Sequence, residues 1–246
     1  MEKLLGRKIE LLENLRFDPR ERANNESFAK ELAEKGDIYI NDAFGACHRA
    51  HASIVGIPKF LPSGVGFLLE KEIKVLTELM KNPKRPLAAI IGGAKAATKV
   101  KLVDKVSEFA DAVMISGLIK KAIIGERIKL KHPQKVVGPI DETGEGKDIG
   151  PKTINLFEEK IFQAKTIFWN GPLGLIEQEE FSKGTAEIAR AIIDSGAFSV
   201  VGGGETVEFI NKLGLTERFN HVSTGGGVML AFLSGEKLPG LAALNR

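Results

Sequence analysis

Lys95 and Lys99 stand four residues apart directly after Gly92-Gly93, within LAAIIGGAKAATKV from Leu87 to Val100. At that spacing two ammonium groups share one face of a helix start, where unpaired backbone N–H groups and the positive end of the helix dipole also gather. A nucleotide phosphate is the kind of anion such a combination holds. The same residues also fit an ordinary α/β joint with a solvated helix face. The pattern G-x-x-x-x-G-K-[ST] is absent, so Walker-type chemistry is not implied. Glu205 and Thr206, after Gly202-Gly203-Gly204, offer a carboxylate and a hydroxyl suited to Mg2+; Glu205 and Glu177 are equally readable as solvated carboxylates. In GACHRAHASIVG, Arg49 lies between His48 and His51. With no Cys, Asp or Glu in ligand spacing, this reads as an anion-facing arginine with loop histidines in preference to a metal site. No Ser-His-Asp or Cys-His arrangement stands out, and no carboxylate pair is placed for hydrolysis. The chemistry left is charge neutralisation around a phosphate, for which lysines, arginines, helix ends and a metal suffice.

Such groups must converge from distant parts of the chain, and the pattern of elements provides for that. Leu87 to Ile91 reads as a buried strand, and strands at Ala112 to Ser116, Lys135 to Ile140, Thr166 to Trp169, Phe198 to Val201 and His221 to Ser223 follow. Helices are expected at Lys101 to Phe109, Leu118 to Arg127, Ile154 to Phe162, Thr185 to Ser195, Val207 to Leu213 and Val228 to Ser234, with a polar loop at 141–150. Strand, glycine turn and helix recur, the rhythm of a doubly wound parallel sheet whose strand-to-helix turns share one edge. The turns at 92–95, 170–177, 202–206 and 224–227 would then meet one ligand. Upstream, Ile9 to Phe17 and Asp37 to Phe44 read as a parallel strand pair flanking a helix at Glu26 to Lys35, with Arg16 and Asp42 at the strand ends. An amphipathic helix runs from Phe67 to Met80, and the breakers Lys81 to Pro86 mark a domain boundary. The division expected is 1–80, a partial N-terminal lobe with an interdomain helix, and 81–246, a C-terminal nucleotide-binding lobe.

The bulk properties set limits on partners. A net charge of +3 with interspersed signs gives no reason to expect nucleic acid or membrane binding. The single cysteine, Cys47, forms no internal disulfide and reads as a small, partly buried residue in a reducing compartment. No apolar run reaches the ~18 residues of a membrane span, and the start MEKLLGRKIE has no signal-peptide core. The cytoplasm is the expected location.

Seven segments, LLENLRF (11–17), NDAFGACHRAHAS (41–53), GGAKAATK (92–99), DIGPKT (148–153), WNGPLGLIE (169–177), VGGGET (201–206) and HVSTGGG (221–227), resemble phosphoglycerate kinase and come in that family's order. The resemblance implies reversible phosphoryl transfer between 1,3-bisphosphoglycerate and Mg-ADP, giving 3-phosphoglycerate and ATP in glycolysis, across a cleft between two Rossmann-like lobes. It implies that Arg16 and Arg49 grip the phosphate that is not transferred. Lys95 and Lys99 would contact the nucleotide phosphates and the group in flight, with Lys99 the more important for the transition state. Gly93, Asn170, Pro172, Gly174, Leu175 and Glu177 would line the nucleotide pocket, Glu177 taking the ribose hydroxyls. Gly203, Gly204, Glu205 and Thr206 would meet the phosphates and Mg2+, and the helix opening around Gly226 would direct its dipole at the transferring group.

The departures from the family are as specific. The segments bearing the Asp-Phe-Asn motif, a further substrate arginine and the His-x-x-Arg motif have no counterpart. The stretch after Ser116-Gly117 is shortened, Ala96 to Thr98 replaces a more polar run, and Glu205 stands where Asp is usual. The partial N-terminal lobe leaves a sheet edge and an apolar face to be covered by a dimer or by an N-terminal segment supplied in trans. The kinase reading is therefore set beside a catalytically deficient nucleotide-binding module and a truncated product lacking part of the substrate site.

Overall fold

A computed structural model describes residues 3–4, 7–8 and 10–244, which fall into two compact units, Met1–Glu70 with Lys237–Arg246, and Lys71–Glu236. The division lies within a helix, upstream of the Lys81 to Pro86 breakers, and the C-terminal segment belongs with the first unit.

The first unit is built from short pieces. β1 (Lys3–Leu4) and β2 (Arg7–Lys8) form an antiparallel pair. The strand expected at 9–17 does not form: Ile9 lies outside the described residues, 10–14 have no regular structure, and Leu15–Phe17 is a 3-10 turn. Leu11 and Phe17 are 93% and 79% exposed, so this run has no sheet face to bury. α1 (Pro19–Arg22) starts with its fixed proline behind the Asp18 cap. α2 (Glu26–Ala33) is capped by Asn25, whose side chain accepts the Phe28 N–H, and buries Phe28, Ala29 and Ala33. β3 (Tyr39–Asn41) pairs in parallel with β4 (Ser63–Val65), a strand that the Pro62-Ser63-Gly64 breakers conceal in the sequence. Asp42, expected near a ligand, accepts the Leu69 N–H at 3.0 Å and so caps α3 (Phe67–Lys81). α10 (Pro239–Leu244) packs on the π-helical turn Ala52–Gly56 and donates Gly240 N–H to Cys47 O.

The second unit carries the doubly wound sheet. β5 (Leu87–Ile91), β6 (Ala112–Ile115), β7 (Val136–Val137), β10 (Thr166–Asn170), β11 (Phe198–Gly202) and β12 (His221–Val222) run in parallel in the order β12-β11-β10-β5-β6-β7. β8 (Glu142–Thr143) and β9 (Asp148–Ile149) form a hairpin where a polar loop was expected. Every residue of β5 and β10 is buried, which explains why β5 reads as a continuous apolar run and β10 carries one from Ile167 to Trp169, without alternation. On one face Ile90, Ile167, Trp169 and Val201 pack with α6 (Pro151–Gln163) and α7 (Lys183–Asp194). α4 (Ala96–Ser107) covers β5 and β6 beside α5 (Gly117–Gly125) and α9 (Gly227–Leu233), and α8 (Gly204–Lys212) follows β11. The order reverses direction between β5 and β10, and their C-terminal ends are the crevice where such sheets bind ligands. Among the described residues no helix is long and apolar enough to cross a membrane.

Candidate active site

The crevice is shaped by two turns that touch backbone to backbone. Gly92 N–H donates to Asn170 O at 2.9 Å and Gly93 N–H to Pro172 O at 2.8 Å. A Cβ on Gly92 would stand 2.0 Å from Pro172 O, and one on Gly171, whose φ is +95°, 2.1 Å from Gly92 O. Only glycine permits that approach. The turn after β10 is tied further by Trp169 Nε1 donating to Gly171 O and by Gly171 N–H donating to Thr206 Oγ1, each at 2.9 Å.

Above these turns lies a cleft of about 440 Å³ lined by Gly93, Lys95, Lys99, Asn170, Gly203, Gly204, Glu205, Thr206 and Gly226. Lys95 is the N-cap of α4 and is exposed. Lys99, one turn on, donates through Nζ to Asn170 Oδ1, and Asn170 Nδ2 donates to Gly202 O at 2.9 Å, so the amide joins the lysine to the end of β11. Burial pulls the Lys99 ammonium down to about 8, Lys95 adds repulsion, and Glu205 opposes both. Gly203 (φ +101°) turns the chain from β11 into α8, and Glu205 follows in that helix's first turn. Thr206 is fully buried, its oxygen already accepting the Gly171 bond. Gly226 (φ +42°) is the N-cap of α9. Three helix starts therefore open on one cleft that also holds two lysines and a carboxylate. That arrangement suits several phosphate charges at once.

A second cleft of about 340 Å³ shares Gly93, Ala94 and Glu205 with the first and is lined by Pro172, Gly174, Leu175 and Glu177. Its apolar wall is Leu118, Leu173 and Leu175, and the β8–β9 turn closes one side with Glu145, Gly146 and Lys147. Thr185 Oγ1 accepts the N–H groups of Leu173 and Gly174, and Leu175 N–H donates to Lys147 O at 2.8 Å. Asp148 is pushed up by burial, against the N–H groups of Gly184 and Ile149 that it accepts. The two clefts adjoin, one lined by lysines, a carboxylate and helix starts and the other by an apolar wall.

One buried network has no signature in the sequence. Glu72, 1% exposed, accepts from His221 Nε2 at 2.9 Å and from Thr224 N–H and Oγ1 at 2.7 and 2.9 Å. Burial alone would raise the Glu72 carboxyl, but the His221 and Thr224 hydrogen bonds hold it below its usual value. The partners lie about 150 positions apart, beyond any local spacing rule. Through Thr224 the network holds the loop that leads into Gly226 and α9.

Arg16 and Arg49 sit in the first unit. Arg16 lies in the 3-10 turn Leu15–Phe17 and not at a strand end, and its N–H is capped by Asn14. Arg49 Nε donates to His48 Nε2 at 3.3 Å. The neighbouring His51 is held down by burial and by the charges of Arg49, Arg16 and Arg22, against the pull of Glu21, whose carboxylate is 3.6 Å away. Glu21 is buried and also accepts Ser53 N–H and Oγ, so the histidine loop is anchored on a carboxylate. Among the described residues no group of three or more His, Cys, Asp or Glu side chains is placed to hold a metal ion.

A model of the phosphoglycerate kinase family matches residues 1–127 and 121–236. The phosphoglycerate kinase of Rubrobacter xylanophilus is 42% identical over 98% of this chain and 72% of its own length, and that of Finegoldia magna 39% over 99% and 73%. Among solved structures, the phosphoglycerate kinase from Pyrococcus horikoshii OT3 superposes with a TM-score of 0.83 at 32% identity, covering 94% of this chain and 71% of that one. That from Coxiella burnetii gives a TM-score of 0.81 at 32% identity over the same shares.

Proposed function

This chain belongs to the phosphoglycerate kinase family, and from that premise we propose that its two adjoining clefts bind Mg-ADP for phosphoryl transfer from 1,3-bisphosphoglycerate. The family makes it a transferase of the glycolytic kinase type, with ATP and ADP as substrates. The observation that carries the residue roles is the half-buried Lys99 ammonium, held by Asn170 in a cleft where Glu205 and the starts of α4, α8 and α9 meet. Lys95 and Lys99 bind the nucleotide phosphates, and Lys99 neutralises charge on the phosphoryl group as it passes from the acyl phosphate to the ADP oxygen. Gly203, Gly204 and Gly226 present helix starts to the same oxygens. Pro172, Gly174 and Leu175 hold the nucleoside, with Glu177 accepting from the ribose hydroxyls. Thr206 keeps the Gly171 turn in place.

Mg2+ arrives as part of the nucleotide substrate, and the donor set fits it: Glu205 supplies one carboxylate and the phosphates supply the other charged ligands, a usual division for this ion. The bound ion spreads the negative charge of the phosphate chain.

Residues 1–80 serve as the glycerate half, with Arg16 and Arg49 on the phosphate that stays behind, and 81–246 as the nucleotide half. Ile38, Ile40 and Val65, exposed around the two-stranded β3–β4 sheet, support completion of the first half by a further segment supplied in trans. The cytoplasm is the compartment that fits a glycolytic kinase. The test is a coupled assay with 3-phosphoglycerate and Mg-ATP on the chain and on Lys99→Met. Turnover that falls at least about a hundredfold in the variant is expected; equal turnover in both would remove Lys99 from its role.

A further inference from the structure

The loop that carries Pro172, Gly174 and Leu175 is held from behind by Thr185 and Asp148, neither of which lines the nucleoside cleft. Thr185, fully buried in the first turn of α7, accepts the N–H groups of Leu173 and Gly174 on one oxygen, at 3.1 and 3.3 Å. Asp148, in β9, is 3% exposed and gives one oxygen to each of two donors, Gly184 N–H at 2.7 Å and Ile149 N–H at 2.9 Å. Its carboxylate sits between two glycines. A Cβ on Gly174 would stand 2.2 Å from Asp148 Oδ1, and one on Gly184 2.6 Å from the same atom. Asp148 therefore places the start of α7 at Gly184, and the next residue, Thr185, places the loop. Leu175 N–H closes the ring on Lys147 O, beside Asp148 in the chain. The phosphate cleft is fixed by other bonds, those of Gly92 N–H to Asn170 O and of Gly171 N–H to Thr206.

Resting on the nucleotide reading above, we propose that Thr185 is a positioning residue for the nucleoside, that Asp148 positions Thr185, and that the two act in series on nucleoside affinity without touching the ligand. A backbone N–H left unpaired away from water is costly, so the loop stays where its two donors meet Thr185 Oγ1. Without that oxygen the loop relaxes towards other acceptors and carries Pro172, Gly174 and Leu175 off their places in the cleft wall. The first turn of a packed helix is a firmer base for such a loop than the loop's own residues. Asp148 suits its place because both of its partners are donors. A carboxylate accepts at both oxygens, whereas an amide would set its NH2 end against one of the N–H groups.

The experiment is calorimetric titration of the full chain with Mg-ADP, which spans both clefts, and with Mg-pyrophosphate, which fills the phosphate cleft alone. Thr185→Val, a swap of hydroxyl for methyl, should weaken Mg-ADP about five- to tenfold, the scale of one net hydrogen bond, and leave Mg-pyrophosphate within about twofold. Thr185→Ser keeps the oxygen and should restore Mg-ADP binding. Asp148→Asn should weaken Mg-ADP in the same way, and the double variant Asp148→Asn with Thr185→Val should lose no more than the larger single loss, since the two groups share one path. Unchanged Mg-ADP affinity in Thr185→Val would overturn the proposal, as would a Thr185→Ser variant that falls as far. Loss of Mg-pyrophosphate in step with Mg-ADP would overturn it too, by marking a general structural effect, and additive losses in the double variant would break the series. Binding of neither ligand by the unmodified chain would defeat the nucleotide reading itself, and with it this one.

Discussion

At the scale of single residues, Lys99 combines the features that a transferring phosphoryl group requires: a positive charge, partial burial and a fixed direction. Because burial brings its proton affinity down to about 8, the ammonium is lost on the alkaline side well before an ordinary lysine would lose it. The kcat/KM for Mg-ADP should therefore fall as pH rises through about 8, and Lys99→Arg should move that limb to higher pH. A profile in which both proteins share the same alkaline limb would assign it to another group. Glu72 titrates on the other side. Its carboxyl is held below the ordinary 4.5, so its stabilising contribution is present above that value and is lost as pH falls through the lowered one. Glu72→Gln should lower stability near neutrality by about 1–3 kcal/mol, with the gap from wild type narrowing in acid when melting is followed below pH 4.5. Both groups were open to very different degrees of foresight. Lys99 announces itself through its spacing after Gly92-Gly93 and its place in a family motif. Glu72 looks like one more polar position on an amphipathic helix, because what distinguishes it, the approach of His221 and Thr224, is a property of the folded chain.

At the scale of elements, the site depends on the contact between the turns after β5 and β10. Ala at position 92 or 171 would force backbone atoms now about 2 Å from the new Cβ to move apart. Gly92→Ala should destabilise the second unit by about 3 kcal/mol or more and weaken nucleotide binding with it. Gly196→Ala is the control, since no atom lies within 4 Å of its Cβ position although its φ is +66°; it should cost only about 1 kcal/mol of conformational strain. Denaturant melts of the two variants separate a close-packed turn from a merely left-handed one, and equal losses would mean that the contact is not what matters. These turns were legible as glycine runs between apolar segments. The β8–β9 hairpin was not, because its strands are two residues each and lack any alternation.

At the scale of the molecule, the two units differ in how much they bury. Among the described residues, the second has a six-stranded sheet with every residue of β5 and β10 buried, whereas the strands of the first form only two-stranded sheets, with Ile38, Ile40 and Val65 exposed around one of them. Scanning calorimetry should show a lower transition that Mg-ADP leaves in place and a higher one that it raises. A single transition that shifts as a whole would mean that the units unfold together. By itself the sequence determined the parallel α/β class of the second unit, the glycine turns, the two lysines and the family, since each of these rests on local periodicity, on residues close in the chain, or on an ordered set of motifs. Only the tertiary structure decided that Asp42 caps a helix, that Arg16 lies on a 3-10 turn, that Thr206 braces Gly171, and that Glu72 holds the loop before α9. It alone also set Thr185 behind the loop of Leu173 and Gly174. These outcomes depend on which distant groups arrive beside a side chain, and a hydrogen bond across 35 or 149 positions leaves no mark in the local pattern.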